Sequence, residues 1–98
     1  MTITADEASQ AFLDGREYSK WNDSVVVNAD VVSLRYHGNE IAWRKIGKKT
    51  MRITLAGWPT VTTRVRLNCL PGVSVHQCKG DQFLNGKPWD GEEVELPL

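Results

Sequence analysis

The sequence has few cysteines and histidines, and each shortage excludes a class of protein. Two cysteines among 98 residues are too few for the disulfide framework of a small secreted domain, so we expect reduced thiols. Neither of the two histidines belongs to a Ser-His-Asp or Cys-His pattern, and there is no Gly-rich phosphate loop or paired-carboxylate signature. We therefore expect no enzymatic activity and no cofactor. Cys69, His76 and Cys78 lie close together, but structural zinc needs four ligands, so no metal site is predicted.

Long apolar runs are also missing. No window approaches the roughly 18 apolar residues of a membrane helix, and the opening MTITADEASQ carries acids where a secretory signal carries basic and then apolar residues. The sequence therefore predicts a cytoplasmic protein with no membrane partner. With 41% hydrophobic and 24% charged residues, residues 1–98 have the composition of one globular domain.

The net charge is zero, but the charges are unevenly distributed. Residues 1–34 carry a net charge of −4 and residues 67–98 a net charge of −3, whereas residues 35–66 hold eight basic side chains against Glu40 alone, a net charge of +7. A centre of one sign indicates an anionic partner, or acidic ends that fold back over it. A basic face that is simply solvated is a third interpretation.

An acidic helix is predicted over residues 1–15. Thr4 suits the N-cap position, and Glu7 stands three residues later as its capping-box partner. The polar stretch that follows connects this helix to the next element, with Tyr18 and Trp21 as anchors. The N-terminal quarter should therefore be a short helix lying on the core.

Residues 24–56 change to a period of two, which is typical of strands. A two-residue turn at Gly38-Asn39 places Leu34 opposite Trp43, so that the apolar faces of the paired strands match. At the next turn a three-residue loop places Ile53 opposite Trp43, whereas a two-residue loop would place Met51 opposite Arg44. We favour the three-residue loop.

This register predicts one apolar and one polar face for the meander. The apolar face carries Val32, Leu34, Tyr36, Ile41, Trp43, Ile53 and Leu55. The polar face carries Ser33, Arg35, His37, Arg44, Arg52 and Thr54. Because Tyr36 and Trp43 point to the core in this register, neither is available for stacking.

The stretch GWPTVTTRVRLNCLPGV fits two structures. Its alternation is typical of a strand, but Thr60 and Thr62 are candidate N-caps and Pro71-Gly72 would end a helix. We favour a helix over residues 60–70. In a helix, two residues of spacing separate Arg64 from Arg66 by about 200°, so they cannot form one patch.

The remaining segments are a hairpin and a tail. Turn signals at Lys79-Gly80-Asp81 and Asn85-Gly86 predict a hairpin region over residues 73–89, and residues 92–98 form an acidic tail that adds an edge strand or frays. The predicted class is α+β. It comprises an antiparallel meander of about three strands, a short C-terminal hairpin, an N-terminal helix and a second helix near residues 61–70.

Three segments resemble a family of small proteins encoded by tailed bacteriophages. They are LRYHGNEIA, ITLAGWPTVTTRVRLNCLPGV and FLNGKPWDG, and the resemblance covers roughly residues 34–91, without the N-terminal helix. It implies a bacterial host and an accessory role, and no mechanism.

The polar face of the meander is the candidate site. Arg44 opposite Arg52 is a repulsive pair unless an anion lies between them, and arginine suits phosphate. The candidate ligand-binding residues are Arg35, His37, Arg44, Lys48, Lys49 and Arg52. Secondary candidates are Arg64, Arg66 and Trp58, the last as a stacking partner for a base.

Two functions follow from this site. The first is a non-enzymatic phage accessory protein that binds DNA or RNA through the basic face. The alternative is a modulator or inhibitor of a host protein, acting as a homo-oligomer through an exposed edge strand. The sequence leaves open whether the acidic helix covers the basic face through Asp6, Glu7, Asp14 and Glu17.

Overall fold

The computed structural model describes residues 3–57 and 60–98 and confirms the α+β class. In chain order the elements are α1 (Ile3–Asp14), β1 (Tyr18–Lys20), β2 (Asp23–Asn28), β3 (Val31–Tyr36), β4 (Asn39–Lys45), β5 (Thr50–Ile53), α2 (Val61–Asn68), β6 (Val75–Cys78), β7 (Asp81–Leu84), β8 (Lys87–Pro88) and β9 (Val94–Pro97). All strand pairs are antiparallel. A six-stranded sheet has the order β1-β2-β3-β4-β5-β9, and a three-stranded sheet the order β6-β7-β8.

Both sheets have more strands than the sequence predicted. The predicted connection after α1 contains β1, which pairs with β2. The acidic tail becomes β9, which pairs with β5 at the other edge, because Val94 and Leu96 alternate with polar residues and pack against the core. The C-terminal hairpin gains β8 as a third strand.

The predicted N-cap is present in one helix and wrong in the other. The helix predicted near residues 61–70 is present as α2, and the Thr60 hydroxyl accepts a hydrogen bond from the Thr63 amide at 3.2 Å as its N-cap. In contrast, α1 begins at Ile3, so Thr4 lies inside the helix and the predicted capping box is wrong. Ala5, Ala8 and Ala11 of α1 are nevertheless buried, so the helix lies on the core as predicted.

The register between β3 and β4 differs from the prediction. The turn is His37-Gly38, because Tyr36 pairs with Asn39, and a bulge between Leu34 and Arg35 then brings Leu34 opposite Ala42. The different turn alone would keep every side chain on its predicted face, since it shifts the pairing by two residues. The bulge adds one residue to β4, so that every later side chain of β4 points to the opposite face.

The next pairing follows from the bulge. Ala42 pairs with Ile53 and Trp43 with Arg52, which is the register of the rejected two-residue alternative. Arg44 therefore does not lie opposite Arg52, and the predicted repulsive arginine pair is wrong. Trp43 shares a face with Arg52 instead.

The core lies between the six-stranded sheet and the two helices. We call the sheet surface toward the helices the inner face and the opposite surface the outer face. The inner face contributes Val25, Val32, Leu34, Ala42, Met51 and Ile53, and the helices contribute Ala8, Ala11, Phe12 and Leu67. Trp43 is absent from this set, and Trp21, predicted to be an anchor, is 85% exposed.

Candidate functional site

Arg44 lies on the inner face and caps helix α1 instead of joining a basic surface. Its Nε donates to the carbonyl of Phe12 at 3.0 Å, and its Nη2 donates to the carbonyl of Leu13 at 2.8 Å. The last carbonyls of a helix have no intrahelical partner, and a cation at that end suits the helix dipole. Because α1 has no basic residue in its own last turn, the sheet supplies the cap.

Arg66 is also turned inward. Its Nε and Nη2 donate to the two carboxylate oxygens of Asp23 at 3.0 and 3.1 Å, and its guanidinium lies 4.2 Å from the centre of the Tyr36 ring. Asp23 is 1% exposed, and its hydrogen bond raises the pKa of Arg66. Arg64 points elsewhere, toward the Gln77 side chain at 3.5 Å, so α2 separates the two arginines.

The arginines of the outer face are close to acidic side chains. Arg35 donates to the Ser33 hydroxyl at 3.3 Å, and that hydroxyl donates to Glu40 at 2.6 Å. Arg52 reaches Glu93 at 3.5 Å and Glu95 at 3.9 Å. The outer face is therefore mixed in charge at both arginines.

Trp43 is the aromatic residue that the bulge brings to the outer face. Its indole N–H donates to Glu93 Oε1 at 3.1 Å, and the same carboxylate reaches Arg52 through Oε2. Glu93 thus holds an indole and a guanidinium side by side. The prediction that Trp43 points to the core is wrong, because it rested on the register without the bulge.

A pocket of about 280 Å³ opens where β4 and β5 diverge toward their connecting loop. It is lined by Trp43, Arg44, Lys45, Lys48, Thr50, Met51, Arg52 and Glu95. Three of the six predicted ligand-binding residues, Arg44, Lys48 and Arg52, meet here. We call the outward-facing group of Trp43, Lys45, Lys48 and Arg52 the hairpin site.

The lysines of the hairpin site differ from its arginine in their surroundings. Lys45, Lys48 and the neighbouring Lys49 are exposed, and within residues 3–57 and 60–98 none of them lies within 4.0 Å of a carboxylate. Arg52 is half-buried between two glutamates. The site is thus a cationic rim beside an aromatic ring, with acids along one side.

His37 lies at the opposite end of the sheet from the hairpin site. It occupies the first position of the β3–β4 turn with φ +52°, and its ring lies 4.4 Å from that of Tyr36. Both line a second pocket, of about 400 Å³, together with Asn39, Ile41, Leu55, Thr60, Thr62 and Thr63. We call it the turn-end pocket. His37 therefore lies at a different pocket from Arg44, Lys48 and Arg52, with which it was predicted to form one site.

The acidic helix does not cover the basic residues of the outer face. α1 packs against β1, β2 and β3 on the inner face, and its Glu7 and Asp14 contact Tyr18, Lys20 and Arg16. The acids that do approach Arg52 belong to the C-terminal segment. Sequence reasoning missed them because their position depends on pairing β9 with a strand about forty residues away.

The remaining residues considered in the sequence are potential metal ligands, the thiol of Cys69 and Trp58. In the described ranges no three His, Cys, Asp or Glu side chains are grouped as metal ligands, and burial together with a hydrogen bond to Asp6 raises the pKa of the Cys69 thiol to about 11. Trp58 lies outside the described residues. No helix in the same ranges is long and apolar enough to cross a membrane.

Comparison with known proteins identifies a family without a mechanism. The family model described as Kyanoviridae Gp96 protein matches residues 1–95, a range that includes the N-terminal helix as well as the three phage-like segments. No curated protein and no solved structure matches the chain. Since the match covers nearly the whole chain, the protein belongs to the Kyanoviridae Gp96 family of phage proteins.

Proposed function

We propose that this protein is a non-catalytic phage accessory protein that binds single-stranded nucleic acid at the hairpin site, in the cytoplasm of the bacterial host. The observation that carries the proposal is the position of the partly exposed Trp43 ring on the outer face beside Lys45, Lys48 and Arg52. An aromatic ring next to a cationic rim is the arrangement by which sequence-tolerant proteins hold single strands.

Two physical terms support binding at this site. Lysine and arginine neutralise phosphates and release counterions, which makes the affinity salt-dependent. Stacking of a base on an aromatic ring contributes about 1–3 kcal/mol. A duplex presents its phosphates but no free base face, so a contribution from Trp43 favours single strands over duplex.

The glutamates beside the site act against an anionic ligand. Glu93 and Glu95 lie 3.5 and 3.9 Å from the guanidinium of Arg52, and a phosphate placed there would meet their charge as well as that of the arginine. We therefore expect modest affinity, with Lys45 and Lys48 contributing more than Arg52.

The test is a titration of a fluorescently labelled oligothymidine, followed by anisotropy across a salt series. The double variant K45A/K48A should bind more weakly, and its slope of log affinity against log salt should fall by roughly 1.4, because each phosphate neutralised on a single strand contributes about 0.7. W43A should weaken binding and leave that slope unchanged. The double variant E93Q/E95Q should bind more tightly.

The matched control is K79A/K87A, which removes the exposed lysines of the β6–β7 turn and of β8 and should bind as wild type does. The proposal is wrong if K45A/K48A and wild type bind equally across the series, or if wild type does not bind at low salt.

A second candidate function is binding of a host protein through the outer face. It is favoured by the ion pairs of Arg52 with Glu93 and Glu95 beside Trp43, since tryptophan and arginine in mixed-charge surroundings are typical of protein interfaces. Capture from nuclease-treated host lysate that W43A abolishes, without oligothymidine binding by the pure protein, would favour this candidate.

A further inference from the structure

Trp21 is placed where a large apolar side chain is unfavourable. It is the first residue of the two-residue turn between β1 and β2, with φ +56°, a region that residues with a Cβ rarely adopt. It is also 85% exposed, so burial does not compensate for the backbone conformation. Ala29, His37 and Lys79, at the first position of other two-residue turns, have a similar φ, so Trp21 differs from them in carrying a large, exposed apolar ring.

The turn-end pocket lies beside this turn. The amide of His37, whose side chain lines the pocket, donates to the carbonyl of Asn22 at 2.9 Å. Asn22 directly follows Trp21, so the exposed indole and the pocket occupy the same end of the sheet. A protruding ring and a cavity therefore adjoin each other on one molecule.

The pocket has the chemistry of a site for an uncharged aromatic group. Its floor is formed by Ile41 and Leu55, which are 1% and 2% exposed, and its rim includes the hydroxyls of Thr60 and Thr62. No lysine, arginine, aspartate or glutamate is among its described lining residues. An indole could bury its rings on the floor and donate its N–H to a threonine hydroxyl.

We infer that the protein forms a two-fold symmetric dimer in which Trp21 of each copy occupies the turn-end pocket of the other. A two-fold axis brings the same surface of both copies together, so a ring and a cavity on one surface satisfy each other twice. The described lining of the pocket carries no carboxylate, ammonium or guanidinium group, so an indole that enters it does not have to displace water from such a charged group.

In the described ranges the edge strands are poorly suited to dimerisation by strand pairing, which is the alternative to the contact through Trp21. β1 has three residues, and β9 carries Glu95 and Pro97, which are features of protected edges. On β6, the Asn68 side chain bonds both the amide and the carbonyl of Val75. The dimer would also leave the hairpin site free at the other end of each sheet, so it is independent of the proposed function.

The test is the molar mass in solution by sedimentation equilibrium, for two variants that should each lose the dimer. W21G removes the indole, and T62R places a charge at the exposed rim of the pocket; each should raise the dimer dissociation constant at least roughly tenfold. W21G should also keep or raise the melting temperature of the monomer, because glycine accepts a positive φ. I46S, which changes an exposed apolar residue at the hairpin end, should dimerise as wild type does.

Mixing the two defective variants gives the sharper result. A heterodimer of W21G and T62R keeps one intact contact, Trp21 of the second in the pocket of the first, so native mass spectrometry should detect more heterodimer than either homodimer. The inference is overturned if wild type is monomeric at millimolar concentration, if W21G dimerises like wild type, or if mixing yields no heterodimer.

Discussion

Arg66 and Arg52 have the same side chain and opposite circumstances. Arg66 is buried with both carboxylate oxygens of Asp23 as acceptors, whereas Arg52 is half-exposed and lies 3.5 Å from its nearer glutamate. A buried cation depends on its carboxylate partner, because water cannot replace that carboxylate. An exposed cation can exchange its acids for water or for an anionic ligand at little cost. The difference teaches that position in the fold, not the number of basic residues, decides which charges are available for binding.

The largest predicted effect is the loss of stability when the carboxylate partner of Arg66 is removed, compared with removal of an acidic partner of Arg52. D23A should lower the free energy of unfolding by about 3–5 kcal/mol, because it leaves Arg66 buried without its carboxylate. E93A should change it by no more than about 1 kcal/mol, since its ion pair with Arg52 is exposed. Urea unfolding of the two variants measures both values, and similar losses would contradict the distinction between the two arginines.

The double variant D23L/R66M sharpens the same comparison. Replacing both members of a buried pair by apolar residues removes the unpaired charge, so it should cost less than D23A alone. A double variant less stable than D23A would mean that the pair stabilises the fold through more than its mutual charge, for example through the contact of Arg66 with the Tyr36 ring.

The two cysteines form a second contrast between inner and exposed positions. The thiol of Cys69 is packed near Asp6 and has a pKa raised to about 11, so at pH 8 roughly one thiol in a thousand is ionised. Cys78 is exposed. At pH 8 iodoacetamide should modify the C69S variant quickly, and the C78S variant only after unfolding.

Mass spectrometry of the intact variants follows that modification. Since the raised pKa keeps Cys69 protonated, its alkylation in the folded protein should accelerate only as the pH approaches 11. Equal alkylation rates for the two variants at pH 8 would show that the Cys69 thiol is neither packed against Asp6 nor kept protonated in the folded protein.

Local signals predicted the parts of the fold that depend on local chemistry. Thr60 caps the start of α2 as predicted, because capping is decided within a few residues. The helix ends at Asn68 with Cys69 as its C-cap, two residues before the end predicted from Pro71-Gly72. The separation of Arg64 from Arg66 followed from helix geometry alone. The predicted turns at Lys79-Gly80 and Asn85-Gly86 are present, and Gly80, Asn85 and Gly86 have the positive φ that glycine and asparagine favour.

The candidate site was harder to predict because it depends on one bulge and one distant strand. A bulge adds a single residue without any strong sequence signal, and that residue decides the face of both Trp43 and Arg44. The apolar pattern of β4 fits either register, since Ile41 and Ala42 are both buried. The acceptor of the Trp43 indole N–H, Glu93, was equally unpredictable, since its position depends on the pairing of β9 with β5.

The central claim is that the bulge turns Arg44 inward and Trp43 outward, and the stability of two adjacent variants tests it most directly. R44M should lower the free energy of unfolding by about 2 kcal/mol, because it removes the cap of α1. W43A should lower it by about 1 kcal/mol or less, since the ring lies on the outer face. A loss of about 3–5 kcal/mol for W43A, as for an aromatic residue removed from a core, together with no loss for R44M, would contradict the account.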